Sequence, residues 1–355
     1  MKFNKTIANK LDHLNECEYY PMEDVGNVLL RLNINENFLI EGDLLRRLAK
    51  EVLDEVDLRL YPNTENLELV KILSEYYGLG EEWFTIGCGE DQLIDILLNV
   101  FAPQNKVVSI FPTFPVYRFR TIFNDGTFVA VPLNSDFSLN VDELIQEGRH
   151  AILMLLCSPN NPTGNQFPID DMEKVISNVD SLVVIDEAYV DFAKYSIYPL
   201  VKKYENLVVL RTFSKSFGLA GLRIGYMIAN PEISKPISTV AQLTYPVVNF
   251  STRMAIKLLQ NRQFVEDSVN RLKIEREKLY RYLRSIGIEA YESQTNFILF
   301  RSPIDPDKFY TGLKDKRIMI RDIGKIFNEH CFRVTVGTEE MNQIFLNAVK
   351  KIVHQ

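Results

Sequence analysis

Hydrophobic and polar positions follow two rhythms along this chain. Short apolar runs rich in Val, Ile and Leu recur at 106–110, 151–156, 181–185 and 206–210, each bounded by polar or turn-forming residues. A run that is apolar throughout, rather than at alternate positions, suits a strand covered on both faces, as in a parallel sheet. Longer stretches of helical spacing lie between these runs. In 91–101, Leu93, Leu97, Val100 and Phe101 fall on one face, and 169–179 has the same character. Strands and helices in alternation predict an α/β domain with helices packed over a central sheet.

The rhythm changes after about Thr244. A charged helical stretch occupies 252–285, strand-like pieces follow at 296–300, 317–321 and 332–336, and a last helix is predicted at 339–352. This pattern reads as a smaller α+β domain. The first 40 residues do not share the α/β rhythm and are expected to pack with that second part. The expected division is therefore 41–245 for the large domain, and 1–40 with 246–355 for the small one.

Composition narrows the classes of function. The 355 residues are 46% hydrophobic and 25% charged, the balance of a folded chain long enough for two domains. The net charge is −7, and no dense Lys/Arg cluster stands out, which argues against nucleic acid as a partner. One pocket can still gather positive charge for a small anion. Cys17, Cys88, Cys157 and Cys331 are too far apart for zinc-ligand spacing or a disulfide framework, so no metal and a reducing compartment are expected. No apolar run reaches the roughly 18 residues of a membrane helix, and 1–20 lacks a signal-peptide core. The cytoplasm is the expected location and no membrane partner is foreseen.

Four segments carry candidate chemistry: Gly87-Cys88-Gly89-Glu90-Asp91, Ser158-Pro159-Asn160-Asn161-Pro162-Thr163-Gly164, Asp186-Glu187-Ala188-Tyr189, and Thr212-Phe213-Ser214-Lys215 running on to Arg223. Taken singly, they are a glycine loop, a turn, a helix cap and a surface lysine. Three of them follow a predicted strand at its carboxyl end, the edge where open α/β sheets bind ligands.

Together these segments resemble the fold-type I enzymes that use pyridoxal 5'-phosphate, and among them the histidinol-phosphate aminotransferase family. The resemblance runs from Asn35-Glu36-Asn37 through Tyr61-Pro62 and Pro112-Thr113-Phe114 to Arg333-Val334-Thr335-Val336-Gly337-Thr338. Its most specific part is Ser214-Lys215 followed by Gly218-Leu219-Ala220-Gly221-Leu222-Arg223. It implies a large domain with a mostly parallel seven-stranded sheet and a smaller α+β domain. It also implies that Lys215 supplies the amine that captures the cofactor aldehyde and then carries protons. Asp186 would keep the ring nitrogen protonated, Asn161 and Tyr189 would donate to the ring's phenolate oxygen, and Phe114 would stack on the ring. The backbone of Gly89, Glu90 and Asp91, with Ser214 and Arg223, would hold the cofactor phosphate. Tyr61 would reach that phosphate from a second subunit, which implies a homodimer. Arg333 and Arg321, with Asn35 and Tyr20, would bind the substrate.

The implied activity moves an amino group between glutamate or 2-oxoglutarate and a small phosphorylated ketone or amino-alcohol phosphate. Histidinol phosphate is the family default. Dihydroxyacetone phosphate as acceptor, or decarboxylation of an amino-acid phosphate, are the alternatives. Three positions depart from the family pattern. Phe38-Leu39-Ile40 stands where a Pro and small residues are usual and should border the substrate, Cys88 replaces Asn, and Glu90 replaces a small residue. A carboxylate beside an anion is unfavourable, so Glu90 is expected to point away.

Overall fold

The apolar runs become the middle of a sheet. The computed structural model describes residues 4–19 and 26–353. Its strands are β1 (Leu30–Leu32), β2 (Phe84–Gly87), β3 (Lys106–Phe111), β4 (Thr127–Pro132), β5 (Leu153–Cys157), β6 (Leu182–Asp186), β7 (Leu207–Thr212), β8 (Gly225–Ala229), β9 (Phe297–Arg301), β10 (Ile318–Ile326) and β11 (Glu329–Thr335). A seven-stranded sheet has the order β2-β8-β7-β6-β5-β3-β4. The pairs from β7 to β4 are parallel, whereas β8 is antiparallel to both neighbours. Two reversals return β2 to the direction of β7. β2, β5, β6 and β7 therefore all end at the same edge.

Successive residues of the central strands point to opposite faces and feed two apolar clusters. Leu153, Leu155, Val184, Val208 and Leu210 pack with Leu93 and Leu97 of the helix Glu90–Phe101, while Met154, Leu156, Val183, Ile185 and Val209 pack on the other side. Fully burying each such side chain contributes roughly 1.5–3 kcal/mol. Double-sided burial is the reason these runs lack polar alternation. Val100 shares the angular face of Leu93 and Leu97 but is 49% exposed. It sits in the last turn, and spacing alone cannot say how far the partner surface extends along the helix.

A four-stranded sheet has the order β1-β10-β11-β9. β1 pairs parallel with β10, so the chain near residue 30 joins the late strands. The expected strand at 317–321 is longer, continuing through a register shift between Asp322 and Gly324. The expected single helix over 252–285 is instead two, Asn249–Gln260 and Arg262–Ser285. The break is at Asn261, whose Nδ2 donates to the Lys257 carbonyl at 2.8 Å. No Gly or Pro marks that stop. The first of these helices packs against Gly42–Glu55 and Asn63–Tyr77. Among the described residues, no helix is long and apolar enough to cross a membrane.

Candidate active site

At the shared edge, the chain leaves β5, β6 and β7 through the loops that carry the chemical segments, and a cavity of about 370 Å³ opens there. Lys215, Glu90, Asp91, Phe114, Asn161, Asp186, Tyr189, Ser214, Arg223, Arg333 and Asn35 all line it. Gly89 is the residue before the helix Glu90–Phe101. Arg321 and Tyr61 do not line the cavity, and Tyr20 lies outside the described residues.

Lys215 is aimed by a tightly pinned loop. The Phe213 amide donates to the Ile224 carbonyl at 3.1 Å, the Ser214 amide to Thr212 Oγ1 at 3.1 Å, and the Phe213 ring is fully buried. Lys215 Nζ then donates to the Ile34 carbonyl at 3.3 Å and lies 5.7 Å from the Tyr189 ring centroid. Burial, and secondly the Arg333 charge, pull its pKa down to about 8. Near neutral pH a useful fraction is thus the free amine, the form that attacks a carbonyl.

Asp186 ends β6 on the cavity side. Its Oδ2 accepts from the Tyr117 hydroxyl at 2.5 Å and its Oδ1 from the Ala188 amide at 2.9 Å. The next residue, Glu187, is also buried but has other partners: Oε2 accepts from Ser196 and Arg211, and Oε1 from the Ile197 amide at 2.6 Å. Of two adjacent carboxylates, only Asp186 lines the cavity. Tyr189 accepts from Asn35 Nδ2 at 3.0 Å, and burial pushes its phenol well up, so it is neutral and able to donate.

The start of the helix Glu90–Phe101 makes an anion cradle. Its first amides lack helical acceptors and its dipole favours negative charge. Gly89 has φ 76°, and a Cβ there would lie 2.5 Å from Arg223 Nη2, so only glycine leaves room for that guanidinium. Arg223 Nη2 donates to Asp91 Oδ2 at 2.7 Å and its Nη1 to Ser214 Oγ at 3.4 Å. Glu90 does not point away. It is buried, it lines the cavity, and burial together with the Asp186 charge raises its pKa well above the usual carboxyl range. The neutral acid escapes the repulsion that made an inward carboxylate unfavourable.

From the four-stranded sheet comes Arg333, only 4% exposed. Its Nη1 donates to Asn161 Oδ1 at 2.5 Å and its Nη2 to the Asn33 carbonyl at 2.8 Å, and it lies 5.1 Å from the Phe297 ring centroid. Arg321 is opposite Arg333 in the β10–β11 pair but stays outside the cavity. Ile34 and Asn35 line the cavity, whereas Phe38-Leu39-Ile40 turns away to border a separate hollow with Arg271 and Thr338. Asn37 causes the turn, its Oδ1 accepting from the Leu39 amide at 3.0 Å and its Nδ2 donating to the Ser216 carbonyl at 2.9 Å. Tyr61 is 74% exposed and stacks on Tyr245 at 4.4 Å.

Sequence reasoning missed Tyr117, which holds Asp186, and Cys157, which lines the cavity. The available signal for Tyr117 was an aromatic three residues after Phe114, one helical turn on. The two rings meet edge to face at 5.6 Å.

Comparison with known proteins agrees with this geometry. The family model for aminotransferase class I and II matches residues 27–349. A histidinol-phosphate aminotransferase from Ruminiclostridium cellulolyticum is 34% identical over 334 residues, covering 92% of this chain and 93% of that protein. The crystal structure of a histidinol-phosphate aminotransferase from Sinorhizobium meliloti, in complex with pyridoxal-5'-phosphate, superposes with a TM-score of 0.88 at 21% identity, covering 99% of this chain and 98% of that one. An L-threonine-O-3-phosphate decarboxylase from Porphyromonas gingivalis has the same fold, with a TM-score of 0.80 at 20% identity, covering 92% of this chain and all of the other.

Proposed function

Because the chain belongs to the class I and II aminotransferases, we propose that it is a pyridoxal-5'-phosphate enzyme exchanging an amino group between glutamate or 2-oxoglutarate and a small phosphorylated ketone or amino-alcohol phosphate, with histidinol phosphate the first candidate. The observation that carries this proposal is one cavity lined by two cations, Arg223 and Arg333, together with Lys215 and Asp186. The residues present fit the cofactor. The glycine-lined helix start, Ser214 and Arg223 suit its phosphate, and Asp186 suits a protonated ring nitrogen. The inward Glu90 is neutral and so is compatible with a phosphate nearby.

When bound, pyridoxal phosphate supplies an aldehyde to capture amines and a ring to accept the electron pair released at the substrate carbon. The chain does the rest. Lys215 would supply the amine that condenses with the aldehyde and, once a substrate amine had displaced it, would move a proton on and off the substrate carbon at Nζ. Asp186 holds the ring-nitrogen proton, fixed by Tyr117 and Ala188. Asn161, Tyr189 and Phe114 line the cavity, where the first two would orient the ring oxygen and Phe114 would cover the ring face. Arg333 grips the anionic group of each substrate in turn, glutamate's carboxylate and then the partner's phosphate, with Asn35 close by. Arg321 and Tyr20 remain proposed as outer substrate contacts. Tyr61, on an exposed apolar surface with Leu58, Leu60, Leu243 and Val248, is proposed to reach the phosphate site of a second copy.

The test presents the cofactor-loaded protein with glutamate, histidinol phosphate and smaller amino-alcohol phosphates one at a time, and follows conversion of the cofactor to its amine form by absorbance. Conversion by glutamate and by one phosphorylated amine supports the proposal. Conversion by neither, or release of CO2 from an amino-acid phosphate, overturns it, the second outcome in favour of decarboxylation.

A further inference from the structure

Glu90 is the one buried carboxyl in the cavity that the proposed chemistry does not use. We propose that Glu90 is kept as the neutral acid and donates its carboxyl proton to Asp186, a positioning role that leaves Asp186 the only charged carboxylate beneath the cofactor. The inference rests on the assignment of Asp186 to the ring nitrogen made above.

Backbone packing places the group. The helix start is pressed onto β8, where a Cβ on Gly225 would lie 2.7 Å from the Glu90 nitrogen and 2.9 Å from the Arg211 carbonyl. Glu90 is 6% exposed, and its Oε1 is buried without a hydrogen-bond partner. An ionised carboxylate with one oxygen stripped of water and unpaired is strongly disfavoured, whereas a carboxylic acid needs only one acceptor for its hydrogen. Asp186 lines the same cavity and is the charge that does most, after burial, to keep the proton on Glu90, and in the proposal it is that acceptor.

The proton has a definite owner. Asp186 already accepts from Tyr117 and from the Ala188 amide, and both bonds stabilise negative charge on it. Glu90 Oε1 accepts from nothing. Two carboxyls that share one proton place the charge on the oxygens with donors, so Asp186 is the ion and Glu90 the acid.

The other ionisable groups around Glu90 are Asp91 on its own helix, Lys215 from the loop after β7, Tyr117 from the helix Val116–Phe123, and Cys157 at the end of β5. Arg223 lies across Gly89. Only Lys215 and Arg223 are positive, and both are proposed to bind the cofactor. Burial outweighs the Lys215 charge in setting the state of Glu90. The neutral state also spares the nearby phosphate a like charge.

The consequence is a specific pH dependence. A carboxyl that keeps its proton in the folded chain but loses it in the unfolded one makes folding weaken as pH rises, from the ordinary glutamate range up to its raised folded value. Glu90→Gln keeps a donor and cannot ionise, and Glu90→Ala removes the donor. The full-length chain without added cofactor is melted from about pH 5 to about pH 6.5, below the range where Lys215 titrates, and the wild type should lose melting temperature more steeply than Glu90→Gln. With pyridoxal phosphate added, the dissociation constants of the wild type and Glu90→Gln should change with pH in parallel over this range, because Glu90 keeps its proton in the free and the loaded chain alike. The infrared spectrum of the wild type should keep a protonated-carboxyl stretch at neutral pH that is missing from Glu90→Gln. Parallel melting profiles for wild type and Glu90→Gln, a dissociation constant that rises with pH for the wild type alone, or no such stretch in the wild type, would overturn the inference even if either variant folded poorly. If the wild type failed to take up pyridoxal phosphate, the proposed function would fall, while the melting and infrared measurements would still decide the state of Glu90.

Discussion

Two arginines line the cavity and are held in different ways. Arg223 has a side chain 43% exposed, paired at 2.7 Å with Asp91, itself 57% exposed. Arg333 is almost wholly buried, and the acceptors described for it, Asn161 Oδ1 and the Asn33 carbonyl, are uncharged. An exposed ion pair in water is worth little, so Arg223 can exchange a carboxylate for a phosphate at small cost. Arg333 has already lost its water, so an arriving anion meets its charge across a low-dielectric space. A cofactor held for many turnovers can be bound by many modest donors. A substrate that must be recognised and released in each half-reaction needs one fixed, strongly attracting fork.

The largest effect should come from the lysine on which both charges act. Lys215→Ala should cut turnover by roughly 10³-fold or more, while equilibrium dialysis still finds cofactor bound through Arg223. Wild-type transamination by this variant would remove the lysine from the chemistry altogether. Asp186→Asn comes next, with roughly 10²-fold loss of rate and a smaller change in cofactor affinity, since it touches the ring rather than the phosphate. Reconstituted variant enzyme with normal turnover would contradict that division.

Arg333→Ala should weaken each half-reaction by about ten- to a hundredfold, the range for losing a charge-assisted pair. Single-turnover absorbance with each substrate reads the loss, and cofactor affinity should stay the same. Arg333→Lys should recover only part, whereas Arg223→Lys should be nearly harmless, because a partly solvated phosphate contact tolerates a point charge. Equal effects of the two lysine substitutions would erase the contrast. Removing the Arg333 charge should also raise the Lys215 pKa from about 8, because that charge opposes protonation of the amine. Cofactor capture by the Arg333→Ala chain should therefore need a higher pH to reach its plateau. The smallest effect is expected for Tyr61→Phe, at most about tenfold in cofactor affinity for one lost hydrogen bond, and it should appear together with weaker binding on dilution. A fully active monomer in sedimentation would exclude a shared site.

Legibility in the sequence followed long Val/Ile/Leu runs, and burial alone did not suffice, since β8 is buried throughout and was not foreseen. β5, β6 and β7 were readable because they are such runs bracketed by turn residues, whereas the lysine, aspartate and asparagine loops that follow them took their meaning only from the family resemblance. β4, at the sheet edge and largely exposed, and the short β1 and β2 carry no such run and were not foreseen. The helix break at Asn261 was hidden because helical spacing continues across it. Glu90 was misjudged in placement: it was expected to point away, whereas it is buried and lines the cavity. Tyr117 was passed over because its role depends on a strand far away in sequence, and no local pattern reports which aromatic will meet Asp186.

One short stretch, Asn33 to Asn37, holds both ends of the machine. Asn33 is the acceptor for Arg333, Ile34 for Lys215, Asn35 donates to Tyr189, and Asn37 donates to the Ser216 carbonyl beside the lysine. Five consecutive residues thus behave as a tether with a handle at each end. The carbonyls that Arg333 and Lys215 rest on are therefore neighbours along one backbone, so the proposed substrate grip and the proposed catalytic amine are anchored to the same short segment.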